Sequence, residues 1–195
     1  MKVALYNQMF GICGTNLLSN ALGHLAVHFH TNPQKAYRRA NLSKTIQTIN
    51  ESKSDIVGIC EVLEGQEEEL RNGLAKIGYK YCFFGEGHKT KHSDLHVQVA
   101  IASKIPCEVV QEDGFPIKNK MGGGGGYLRC KLIESKTDLF CVHLSFPKKR
   151  KLYQKQIKFL SENVSKSKNK IILLGDFNLP FERIKDRFAN MKLLS

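Results

Sequence analysis

Five polar side chains stand where apolar runs of this sequence end. Asp176 and Asn178 follow Ile171-Ile172-Leu173-Leu174-Gly175, and Asn7 follows Val3-Ala4-Leu5-Tyr6. Glu61 follows Asp55-Ile56-Val57-Gly58-Ile59-Cys60, and His143 follows Leu139-Phe140-Cys141-Val142. Carboxylates and carboxamides suit a hard divalent cation, and an imidazole can donate or take a proton near neutral pH. Taken singly, each is an ordinary strand end: Asn7 and Asn178 can cap turns, and His143 can be a satisfied core histidine. Recurrence in four segments makes the set a candidate site. Open α/β sheets place their chemistry at the carboxyl ends of strands. If the four tips share one rim of a layered α/β fold, all five side chains converge.

The elements that must position them read clearly in places. Four consecutive apolar residues after Lys170 predict a strand covered on both faces and broken at Gly175. Leu42, Ile46 and Ile49 predict an amphipathic helix from about Ala36 to Ser52, covering the strand that ends in Glu61. Leu70, Leu74 and Ile77 repeat that spacing, with Gly78 as the stop and Glu67 to Glu69 on the solvated face. Tyr81 to Phe84, Val97 to Ala102 and Cys107 to Val110 read as strands. Between the first two, Gly85 to His96 reads as a polar loop with Glu86, His88, His92, Asp94 and His96. Tyr127 to Ile133 and Asp138 to Leu144 flank a hairpin turn at Glu134 to Thr137. Pro147 to Lys151 then opens a helix with Tyr153, Ile157, Leu160 and Val164 on one face. The basic residues in that opening read equally as a phosphate-contacting rim or a solvated helix start.

Two stretches are less legible. Leu17, Leu18, Ala21, Leu25 and Phe29 predict a helix within residues 8–36, beside His24, His28 and His30. Histidines one helical turn apart can bind a metal, but no His-Glu-x-x-His motif is present, so they read as surface or packing residues. Gly122 to Gly126 is followed by neither Lys-Ser/Thr nor a helix, which excludes a P-loop and leaves a flexible connection.

The length of 195 residues with 42% hydrophobic content predicts a single domain, 1–195, with a substantial core. No apolar run approaches the length of a transmembrane helix, and no secretory signal precedes the first strand. A soluble, intracellular protein is expected, cytoplasmic or nuclear. The formal net charge of +12 favours polyanionic partners, nucleic acid first and an anionic membrane surface second. The six cysteines contain no Cys-x-x-Cys, and four of them (Cys60, Cys82, Cys130, Cys141) fall in predicted strands. This argues for buried free thiols and a reducing compartment, against zinc and disulfides.

Leu5-Tyr6-Asn7, Asp55 through Val62, Val142-His143-Leu144 and Gly175-Asp176-Phe177-Asn178 occur in the order that marks the endonuclease/exonuclease/phosphatase superfamily, which these segments resemble over nearly the whole chain. The resemblance implies a DNase I-like α/β sandwich of two mixed sheets flanked by helices. It also implies a metal-dependent phosphodiesterase, most readily a nuclease acting on DNA or RNA. Glu61, helped by Asn7, would hold Mg²⁺ or Mn²⁺. Asp176 would orient or deprotonate the attacking water, Asn178 would hydrogen-bond phosphate or water, and His143 would donate to non-bridging oxygens or the leaving group. Asp94 is a weaker candidate for a supporting role.

Two departures stand out. Cys60 replaces a Gln common before the Glu, outside the chemistry itself. The superfamily closes with a strand and an Asp-His pair, whereas Leu179 to Ser195 contains Asp186 and no histidine. The sequence therefore reads as C-terminally incomplete, either a truncated gene product or a shortened branch that recruits another histidine. An exposed sheet edge and a loss of activity are expected consequences. A catalytically weak relative that binds nucleic acid or a partner is the alternative from outside enzymology. A sphingomyelinase- or inositol-phosphatase-like hydrolase is the alternative within it. Oligomeric state is not legible in the sequence.

Overall fold

The computed structural model describes residues 1–11, 41–89, 95–116, 125–188 and 191. Among these, eight strands form two mixed sheets. The first is ordered β1 (Val3–Asn7), β2 (Ile56–Leu63), β4 (His96–Ser103), β3 (Tyr81–Lys89). The second is ordered β5 (Cys107–Gln111), β6 (Gly126–Leu132), β7 (Thr137–His143), β8 (Lys170–Asp176). The pairs β1–β2 and β7–β8 are parallel and the others antiparallel.

The period-two alternation of the strands sorts their side chains into layers. In β2, Ile56 and Cys60 face the second sheet, whereas Val57 and Ile59 pack outward. In β7, Leu139 and Cys141 face the first sheet, whereas Phe140 and Val142 pack outward. Helices α1 (Leu42–Ser52) and α2 (Glu67–Lys76) cover the outer face of the first sheet with Leu42, Ile49, Leu70 and Leu74. Helix α3 (Arg150–Lys166) covers the second sheet with Tyr153, Ile157, Leu160 and Val164, each at most 8% exposed. Burying one such side chain contributes about 1.5–3 kcal/mol. The result is a four-layer α/β/β/α sandwich, the fold class expected from the sequence.

At Gly58 the two sheets come too close for a side chain. A Cβ on Gly58 would lie 3.1 Å from both Cys141 Sγ and Leu174 Cβ. Cys60, Cys107, Cys130 and Cys141 all belong to this inter-sheet core as buried free thiols. Contact with Cys141, then burial, raises the pKa of Cys60, which leaves it an inert packing residue. Cys82, on the helix side of the first sheet, is pushed up to about 12 chiefly by burial.

Several elements differ from the sequence expectations. Helix α1 begins at Leu42, because Asn41 caps it by accepting from the Lys44 N–H at 3.3 Å. β3 runs on to Lys89, so half of the expected polar loop is strand paired with β4. β8 is half-buried rather than covered on both faces, because it is the outer strand of its sheet among the described residues. It also continues through Gly175 to Asp176. The helix expected around residues 17–29, the histidines at 24, 28 and 30, Asp94 and Cys13 lie outside the described residues.

Candidate functional site

The same alternation that builds the core delivers the site. Asn7 shares strand parity with Val3, His143 with Leu139 and Cys141, and Asp176 with Ile172. Val3, Ile172, Leu139 and Cys141 all belong to the inter-sheet core. All three polar residues therefore emerge on the inter-sheet side, at the carboxyl ends of β1, β7 and β8. His143 and Asp176 are direct partners in the parallel β7–β8 register, and Asn7 pairs with Cys60 in β1–β2.

Glu61 arrives differently. By parity it would point outward beneath the helices, but β2 does not end there as the sequence suggested. The β2–β4 register shifts between Cys60 and Val62, and Glu61 takes a left-handed backbone with φ +60°. Val62 resumes the outward face occupied by Val57 and Ile59. Glu61 is thus the extra residue of a β-bulge, whose effect is to re-aim one side chain without breaking the strand. A left-handed conformation at a non-glycine residue costs on the order of 1 kcal/mol or more and clusters at functional sites.

The side chains meet. Asn7 Nδ2 donates to Glu61 Oε1 and to Asp176 Oδ2, each at 3.3 Å, and Asn7 Oδ1 accepts from the Met9 N–H at 3.0 Å. His143 Nε2 lies 3.7 Å from the same Glu61 Oε1, with His143 6% and Glu61 19% exposed at the side chain. Asp176 Oδ1 accepts from the Asn178 N–H at 2.9 Å. Asn178 is left-handed at φ +51° and gives its amide to the Leu144 carbonyl at 2.7 Å. All five sequence-predicted residues are therefore brought to one mouth of the sandwich. Asp186, in a 3-10 turn over Lys185–Phe188, is exposed, and its neighbours Ile184 and Phe188 pack into the α3 core.

Two supporting residues escaped sequence reading. Tyr153 donates its hydroxyl to the Phe177 carbonyl at 3.0 Å, tying α3 to the turn between Asp176 and Asn178. Gln156 accepts from the Ser145 N–H at 2.9 Å, fixing the chain just beyond His143. Both lie on the buried face of α3. A Tyr and a Gln three residues apart on an otherwise apolar face are the signal that could have found them.

The donor set bears on a cation. Two carboxylates share one amide, and among the described residues neither has a Lys or Arg ion-pair partner. A divalent cation would balance that charge, and Mg²⁺ needs only one or two protein carboxylates because it keeps several waters. No group of three or more His, Cys, Asp or Glu is poised as a metal cage among the described residues. As arranged, Asn7 turns its N–H groups, not its oxygen, toward the carboxylates. The set thus fits a lightly coordinated hard cation held chiefly by Glu61.

No family model matches the sequence, and no curated protein is similar enough to count as a sequence relative. Solved structures do match in fold. An endonuclease/exonuclease/phosphatase protein from Beutenbergia cavernae superposes with a TM-score of 0.61 at 17% identity, over 92% of this chain and 48% of its own. A β-hairpin deletion mutant of the Staphylococcus aureus beta toxin gives 0.56 at 17% identity, over 95% of this chain and 71% of its own. TDP2 of D. rerio, complexed with a single-stranded DNA product, gives 0.54 at 16% identity, over 96% and 64%. The chain thus spans about half the length of the first of these structures. Among the described residues no helix is long and apolar enough to cross a membrane. The chain shares the layered α/β fold of these solved structures, an endonuclease/exonuclease/phosphatase protein among them.

Proposed function

We propose that the chain hydrolyses phosphodiesters with a divalent cation, Mg²⁺ or Mn²⁺, and that its substrate is DNA or RNA. The observation that carries this reading is the pair of carboxylates, Glu61 and Asp176, bridged by the Asn7 amide with His143 beside them. A cation held at Glu61, next to Asn7, would neutralise the phosphate and make the attacking water more acidic. Asp176 offers Oδ2 to that water through its remaining lone pair, since Oδ2 holds only the longer 3.3 Å bond from Asn7 while Oδ1 is fixed by the Asn178 N–H at 2.9 Å. It takes the water's proton as general base. His143 donates from Nε2 to a non-bridging oxygen or to the leaving group. Asn178 spends one amide hydrogen on Leu144, keeping a second N–H and its carbonyl oxygen for water or phosphate. The net charge of +12 supports a polyanionic substrate, and the fold likeness to TDP2 with its DNA product supports nucleic acid over a small headgroup.

The test is cleavage of plasmid and single-stranded oligonucleotides by the purified chain with Mg²⁺, with EDTA, and in Asp176→Asn and Glu61→Gln. Cleavage that needs the cation and disappears in both variants supports the reading. Cleavage that survives EDTA refutes the metal requirement, and binding without cleavage identifies a nucleic-acid-binding module instead.

A further inference from the structure

An exposed aromatic ring stands beside the site. Phe146, three residues beyond His143, is 54% exposed, although Leu144 is fully buried and Ser145 is too. The backbone around it is not loose. The Leu144 N–H donates to the Asp176 carbonyl at 2.9 Å, and its carbonyl accepts from Asn178. The Ser145 N–H is held by Gln156, and the Lys149 N–H donates to the Phe146 carbonyl at 2.9 Å. The pinned backbone fixes where the ring is projected from, so less of the segment must be ordered when a flat partner is received.

The segment after the ring is basic. Lys148, Arg150 and Lys151 are exposed at the start of α3, where Pro147 leads into the helix. Their positive charge sits at the amino end of a helix, where the dipole already favours anions. The combination of one presented aromatic face and a short cationic run matches single-stranded nucleic acid. Bases there stack on aromatic rings while phosphates lie on Lys and Arg. An interfacial membrane anchor needs a broad apolar face instead, and Phe146 is followed directly by a half-buried proline and charges.

We infer that Phe146 is a stacking platform that seats an unpaired base next to the Glu61–Asp176 mouth, with Lys148, Arg150 and Lys151 holding the adjoining phosphates. This rests on the nucleic-acid reading above and deepens it: the substrate presents a single-stranded or frayed segment at the scissile bond.

The chain contains no tryptophan, so Phe146→Trp installs a unique fluorophore at the position in question. The probes, in EDTA to prevent cleavage, are a short oligothymidylate, an abasic phosphodeoxyribose strand of equal length, and phosphatidylserine vesicles. The expected result is quenching by the oligothymidylate and none by the abasic strand. Phe146→Ala should bind the oligothymidylate about 5- to 100-fold more weakly than wild type. Its dependence of affinity on salt should match wild type, because no charge is removed. Equal quenching by both strands, or undiminished affinity in Phe146→Ala, overturns the proposal. So does a blue-shifted, brighter emission on vesicles with no response to oligonucleotides, which assigns the ring to a membrane surface. If Phe146→Ala binds normally while wild type cleaves DNA with Mg²⁺, the platform is refuted and the hydrolase reading stands. If wild type neither binds nor cleaves, both fall.

Discussion

Gly175→Ala isolates how tightly the fold positions its proposed base. A Cβ at this position would lie 2.5 Å from the Val142 carbonyl oxygen and would also collide with Val142 Cγ2. An ordinary contact begins at about 3.4 Å, so the two strands must separate locally by about 0.9 Å. The carbonyl is backbone inside the β6–β7–β8 ladder and cannot swing aside. β8, with a neighbour on one side only among the described residues, is the strand that yields. Such overpacking costs roughly 1–3 kcal/mol, and an outer strand that can drift outward places this variant at the low end. Asp176 is the very next residue, and a displacement of about 1 Å at a reacting group costs about 100-fold in rate. That corresponds to about 2.7 kcal/mol of barrier. Activity should therefore fall far more than stability. The assay pairs thermal unfolding with kcat/KM on a plasmid or oligonucleotide in Mg²⁺. Adding Val142→Ala should restore only part of the loss, since it removes the methyl clash and leaves the carbonyl. A folded Gly175→Ala protein with kcat/KM within about threefold of wild type would refute the reasoning.

Other outcomes are open to measurement. Saturating Mg²⁺, at about 100 times its dissociation constant, should stabilise wild type by about 2.7 kcal/mol in denaturant titrations, and Glu61→Gln should abolish the gain. Tyr153→Phe should cost about 0.5–1.5 kcal/mol by losing the bond to the Phe177 carbonyl, with a larger effect on activity because the Asp176–Asn178 turn loosens. Burial raises the Tyr153 hydroxyl to about 12, so the stability tied to it is complete below pH 10 and is lost as pH rises toward 12; alkaline unfolding of wild type and Tyr153→Phe should differ in that window. Burial pushes the Asp138 carboxyl up. Hydrogen bonds from Ser167, Asn169 and Arg129, with the Arg129 charge, outweigh that and hold it below its ordinary value. Its contribution is therefore present above about pH 4 and fades as pH falls below that, so Asp138→Asn should be destabilised at neutral pH and converge on wild type in acid unfolding.

Much of this was written in residue order. Apolar runs ending in Asn7, His143 and Asp176 announced strands that deliver polar tips. The period of two then fixed their side, because a residue of the same parity as an inter-sheet core residue must face the other sheet. The four cysteines in predicted strands, Cys60, Cys82, Cys130 and Cys141, read correctly as buried thiols for a local reason: few other side chains are as small and as apolar. Glu61 could not be placed this way. Its parity pointed beneath the helices, and only pairing with β4 shows the bulge that turns it inward. Tyr153 read as one member of an apolar helix face and Gln156 drew no reading, until the docking of α3 supplied carbonyl and amide partners from residues 177 and 145. Phe146 carries no distinguishing signal in the sequence, and only the tertiary bonds around it show a segment that leaves it exposed. Local alternation thus determined which residues could reach the mouth. Register shifts, strand order and helix docking, which depend on partners distant in the chain, decided which of them meet there.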